Sequence, residues 1–170
     1  MDERWRLLRV GQHVLDLGAA PGSWAKYAAE RVGPAGRVVA VDLQEIRESL
    51  GAAAVVVQAD VLGEEAPPEV EASAPYDVVL SDMAPATTGS KATDQARSFE
   101  LFVRAVEIAA RLGRPGSSFV GKIFMSGDFP EAKRAVASRY ATCRALKPEG
   151  TRQNSSELYL VGTGLRVGWH

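Results

Sequence analysis

The stretch His13-Val14-Leu15-Asp16-Leu17-Gly18-Ala19-Ala20-Pro21-Gly22-Ser23-Trp24 decides the fold. Its first five residues read as a short, mostly aliphatic strand. A turn of glycines and small residues follows, which lets backbone approach a ligand or another chain segment closely. Ser23 to Val32 then reads as a helix, closed by Gly33-Pro34-Ala35-Gly36. Strand, tight turn and helix make the opening of a βα unit.

The same alternation continues downstream. Strands are expected at Arg37–Val41, Ala54–Gln58, Tyr76–Ser81, Ser117–Ile123, Ala141–Leu146 and Leu158–Val161. Ala92 to Gly113 is helical, with Phe99, Phe102, Val103, Val106, Ala109 and Ala110 recurring at three and four. Asp128-Phe129-Pro130-Glu131 reads as a capping box opening a helix to about Tyr140. Seven strands interleaved with helices imply an α/β, doubly wound, mostly parallel sheet with helices on both faces. No repeat or linker interrupts 170 residues, the length of one domain, so residues 1–170 are expected to form a single domain.

Composition narrows the function classes. Hydrophobic residues at 46% and charged residues at 24% are ordinary for a soluble globular chain. The single Cys143 excludes an internal disulfide, and the two distant histidines, His13 and His170, argue against a zinc site, so no metal is expected. No apolar run reaches the roughly 18–20 residues of a membrane span, and the first residues lack a signal-peptide core. A cytoplasmic protein without membrane partners is the expectation. The net charge of −1 conceals a split: residues 1–82 hold 7 Lys and Arg against 14 Asp and Glu, a balance of −7, whereas residues 83–170 balance at +6. A basic surface is therefore expected mainly from the C-terminal half.

In a doubly wound sheet, ligands sit at the carboxyl ends of the strands. Asp42, Asp60 and Asp82 end or follow three successive strands there. A lone strand-end aspartate is usually a turn or cap residue; three on one edge suggest a binding site. Asp42 lies 20 residues after Gly22, where a carboxylate takes ribose hydroxyls, and Asp60 suits an adenine amino group. Gly18 and Gly22 lack the G-x-G-x-x-G spacing that cradles a pyrophosphate. The turn by itself fits a ligand-free strand-to-helix junction equally well. Together with the acids it favours an adenosine-type ligand bearing a positive group, which describes S-adenosylmethionine.

LDLGAAPGSW, SDMAPATTGS, FVGKIF and KPEGTRQNSSELYLVGTG, in that order, resemble the RrmJ/FtsJ family of ribosomal RNA ribose 2′-O-methyltransferases from about Val10 to Leu165. The resemblance implies the Rossmann-like methyltransferase sheet with its final strand antiparallel. It implies S-adenosylmethionine contacts at Gly22, Trp24, Asp42, Asp60 and Asp82, and a substrate in the large ribosomal subunit, most simply a uridine of its 23S RNA; separately, a monomer is expected. The family uses a lysine–aspartate–lysine–glutamate tetrad, whose last three members match Asp82, Lys122 and Glu157. Lys122 is then expected to position the hydroxyl and take its proton, with Asp82 and Glu157 holding it. The first lysine has no counterpart in the sequence; Arg4, Arg6 and Arg9 are the nearby cations, and arginine does not replace a positioned amine. An impaired catalyst is one expectation from this, and a noncatalytic ribosome-assembly factor is the alternative. A small-molecule methyltransferase is disfavoured by Lys122 with Glu157. Candidate RNA contacts are Lys91, Arg97, Lys133, Arg134, Arg139, Lys147 and Arg152.

Overall fold

The computed structural model describes residues 6–61, 63, 66–86, 88–147 and 157–168. These form strands β1 (His13–Leu17), β2 (Arg37–Asp42), β3 (Ala54–Gln58), β4 (Tyr76–Ser81), β5 (Gly113–Phe124), β6 (Tyr140–Leu146) and β7 (Glu157–Leu165). The helices are α1 (Ser23–Val32), α2 (Pro68–Ala72), α3 (Lys91–Leu112) and α4 (Phe129–Arg139). All seven strands join one sheet in the order β3-β2-β1-β4-β5-β7-β6. β1 to β5 pair in parallel, and β7 runs antiparallel between β5 and β6.

β1, β2 and β4 are buried on both faces, which is why they read as aliphatic runs rather than as alternation. On one face, Val14, Val38, Ala40, Val78, Leu80 and Val120 meet Ala25, Ala28, Ala29 and Val32 of α1. On the other, Leu15, Val39, Val79 and Phe119 meet Phe102, Ala105 and Ala109 of α3 and Val136 of α4. The small residues of α1 let that helix lie close to the sheet, and Gly22 and Gly33 bound it.

Several element boundaries differ from the sequence expectation. β5 starts at Gly113, and β7 runs on to Leu165. The short α2 has no counterpart in the sequence reading, because five residues carry too little periodicity to be seen. The capping box at Asp128 does not form. Asp128 has helical dihedrals (φ −84°, ψ −7°) and its side chain makes no cap hydrogen bond, because a capping side chain reaches back only from extended backbone. Ser126 closes that turn instead, its Oγ accepting from the Asp128 amide at 3.3 Å. α3 is capped as its sequence allows, with Ser90 Oγ accepting from the Thr93 amide.

Candidate active site

The carboxyl ends of β1, β2, β3 and β4 enclose a hollow of roughly 400 Å³ lined by Gly18, Asp42, Asp60, Asp82, Met83 and Leu101, among others. Backbone packing shapes it. Gly18 has φ +75°, and a Cβ there would lie 2.8 Å from the Met83 backbone. Only glycine combines that conformation with that approach. The Asp82 amide donates to the Leu17 carbonyl at 3.0 Å, tying the loops after β1 and β4 together.

Asp42 is held from two sides. Its Oδ2 accepts from the Ala20 amide at 2.9 Å and its Oδ1 from the Gln44 amide at 2.8 Å. Each carboxylate oxygen can accept a further bond, so the group is oriented yet still able to bind. Asp60 is exposed and lines the same hollow.

Gly22 and Trp24 stand at the start of α1. Gly22, at φ +123°, is closed over by the loop after β2, where its Cβ would come 2.7 Å from Glu48 Cβ and 3.0 Å from Ile46. The Lys26–Glu48 pair at 3.1 Å spans that contact. Trp24 stacks at a tilt on Tyr159, ring centroids 5.3 Å apart. Neither residue is in the lining of the hollow.

Lys122 and Asp82 meet where β4, β5 and β7 adjoin. Lys122 Nζ lies 2.9 Å from Asp82 Oδ1 and 3.4 Å from the Asp82 carbonyl oxygen. The lysine side chain is 11% exposed and the aspartate 35%, so the pair sits at a lip, its cation within the fold and its anion facing outward. Lys122 opposes Tyr159 across the antiparallel register, and Glu157 opposes Phe124. Alternation along β7 therefore places Glu157 and Tyr159 on the face that carries Lys122.

Two residues of the site lie outside the sequence-based set. Tyr159 Oη donates to Asp82 Oδ1 over a long 3.5 Å. Burial, then the carboxylates of Asp82 and Glu157, push its hydroxyl pKa well up, so it stays a donor. Its signal is the spacing Glu157-x-Tyr159 on one strand face. Asp16 is the second. It sits in β1 between Ala40 and Leu80, is fully buried, and neither carboxyl oxygen has a hydrogen-bond partner among the described residues. Burial, then Asp82 and Asp42, raise its pKa well above the usual carboxylate range. An acid inside an aliphatic strand is its signal.

Of the candidate RNA contacts, Lys91 and Arg97 lie on α3, Lys133, Arg134 and Arg139 on α4, and Lys147 just after β6. Arg152 lies outside the described residues, as does Arg4.

The fold is a Rossmann-like sheet shared with solved methyltransferases. The crystal structure of a ribosomal RNA methyltransferase from Plasmodium falciparum superposes with a TM-score of 0.83 at 20% identity, over 96% of this chain and 92% of that one. A SAM-dependent O-methyltransferase from Thermotoga maritima superposes at 0.68 and 12% identity, over 98% of this chain and 64% of that one. Sequence relatives are closer. The Ribosomal RNA large subunit methyltransferase E of Sorangium cellulosum (strain So ce56) is 57% identical over 164 residues, 95% of this chain and 76% of that protein. The protein of the same name from Syntrophobacter fumaroxidans is 42% identical over 167 residues, 98% of this chain and 85% of that one. The family profile described as FtsJ-like methyltransferase matches residues 1–165, and the chain belongs to that family.

Proposed function

We propose that this protein transfers a methyl group from S-adenosylmethionine to a ribose 2′-hydroxyl of large-subunit ribosomal RNA, most simply a uridine of the 23S molecule. The observation that carries this reading is the Lys122–Asp82 pair at the lip of the strand-end hollow. The residues present fit the cofactor. Asp42 is pinned by two amides with acceptor capacity left for ribose hydroxyls, and Asp60 stands at the next strand end for the adenine. Gly18 keeps open a space that a side chain could not share with Met83, and the orphaned Asp16 carboxyl lies beneath the site. Gly22, beside the loop after β2, and Trp24, against Tyr159, would be further cofactor contacts.

When bound, the cofactor supplies a methyl group already activated on a sulfonium. The protein's task is alignment, which converts an encounter into an effectively unimolecular step. Lys122 Nζ would orient the acceptor oxygen and accept the hydroxyl proton as the methyl passes from sulfur to oxygen, the cofactor leaving as a neutral thioether. Asp82, 2.9 Å away, then holds the ammonium. Tyr159 steadies the same carboxylate oxygen, and Glu157 adds negative charge on that strand face. A noncatalytic assembly factor would have no need of this pair, and nothing in the described site favours that reading. On this reading the protein works in the cytoplasm, where ribosomal RNA is assembled into particles, and acts as a monomer.

The test is transfer of labelled methyl from S-adenosylmethionine to large ribosomal particles lacking the modification, followed by nuclease digestion. Label in a 2′-O-methyl nucleoside supports the reading. Label on a base, or none with cofactor bound, overturns it.

A further inference from the structure

A second hollow, of roughly 380 Å³, opens beside the first. The two share Ala84 and Pro85, so the loop after Asp82 is the partition between them. Its walls are the Phe124 ring, Pro85, Gly89 and the first turn of α3 with Lys91, Asp94 and Gln95. Phe124 lies two residues beyond Lys122 on β5 and shares its strand face, one pleat repeat or about 7 Å further along. A nucleotide with its 2′-oxygen at Lys122 has this slot within reach of its base.

The slot is built rather than incidental. Asp94 Oδ1 accepts from both the amide and the hydroxyl of Thr88, at 2.8 and 2.7 Å, and these bonds hold its carboxyl below the ordinary carboxylate range. That fixes the loop before α3 as a wall and engages the one carboxylate among the described lining residues. Gln95 is half-buried, and its amide has no hydrogen-bond partner among the described residues. Lys91 stands exposed at the rim, with no ion pair among those residues. An aromatic wall, an unengaged amide and a cation at the edge are the groups that take a base splayed from single-stranded RNA, by stacking, edge recognition and phosphate contact.

We propose that this slot binds the base of the nucleotide being methylated, stacked on Phe124 with its edge read by Gln95. The amide offers a donor and an acceptor side by side, matching the N3–H and carbonyl of a uracil edge. This inference rests on the ribose-methyltransferase reading and names where that substrate's base goes.

The variants are Phe124→Ala, Phe124→Tyr and Gln95→Ala. Methyl transfer to large ribosomal particles and S-adenosylmethionine affinity are measured for each. Phe124→Ala should lower kcat/KM for the particles roughly 10-fold, the scale of removing one base from an aromatic platform, with cofactor affinity unchanged. Phe124→Tyr should restore it. Gln95→Ala, which alters no packed core, should also lower kcat/KM several-fold with cofactor affinity unchanged. Wild-type kcat/KM in Phe124→Ala and Gln95→Ala, or a parallel loss of cofactor binding, overturns the slot. Binding of a single-stranded oligouridylate separates this from failure of the parent reading. If wild type transfers no methyl group yet binds the oligonucleotide and Phe124→Ala weakens that binding, the slot stands and the assigned activity falls. If wild type neither transfers nor binds, both fall.

Discussion

Asp16→Asn is the sharpest probe of how the sheet supports the site. The substitution keeps the side-chain shape and removes its ionisation. Asp16 is fully buried with both oxygens unpartnered among the described residues, and its folded pKa is raised above the unfolded value of about 3.9. The native state therefore holds a proton that the unfolded state releases, and stability falls as pH rises from about 4 through the folded pKa. At pH 4 and below both side chains are neutral, and the two proteins should melt within a degree or two of each other. Above that window each pH unit up to the folded pKa costs the wild type about 1.4 kcal/mol, a loss that the amide, neutral throughout, does not suffer. For a domain of 170 residues, each kcal/mol moves Tm by about 2–4 °C. The variant should thus gain roughly 3–6 °C over the wild type for each pH unit up to the folded pKa, in thermal unfolding of the ligand-free protein. Adding S-adenosylmethionine should narrow the gap, because the carboxyl then has a cationic ligand nearby. A difference that does not change with pH, or a variant less stable at pH 8, would refute the account of Asp16.

Asp42→Ala should weaken S-adenosylmethionine binding by about 1–3 kcal/mol in titration calorimetry, the loss of hydrogen bonds to an oriented carboxylate; unchanged affinity removes Asp42 from the cofactor site. Lys133 and Arg134 project from exposed positions on α4. Replacing both with Gln should flatten the dependence of ribosomal RNA affinity on log salt by about 0.7–0.9 for each phosphate no longer neutralised. An unaltered slope moves the RNA surface away from α4.

What can be read from the sequence follows from periodicity and strand ends. The inner parallel strands β1, β2 and β4 announce themselves because double-sided burial demands aliphatic runs, as in Val38-Val39-Ala40-Val41. Asp42, Asp60 and Asp82 stand out as acids terminating such runs, and all three line one hollow. The Lys122–Asp82 contact is expected from neighbouring strands, and the structure brings the two within 2.9 Å. Pattern does not show how the loop after β2 folds against Gly22, where a Cβ would meet Glu48 and Ile46. Nor does it show that Asp128 fails as a cap, which is a matter of its backbone dihedrals. The isolation of Asp16 depends on its neighbours Ala40 and Leu80, supplied by two other strands. The antiparallel course of β7 follows from the family resemblance alone, because its own sequence reads only as a strand.

The central claim is that Lys122, held by Asp82, carries the chemical step. Its most direct test is single-turnover methylation of large ribosomal particles by Lys122→Ala, with S-adenosylmethionine affinity measured on the same preparation. The account predicts cofactor affinity close to wild type and a rate lowered by about 100-fold or more, the scale of a positioned acid–base group. A variant that binds the cofactor normally and methylates at near the wild-type rate would contradict it.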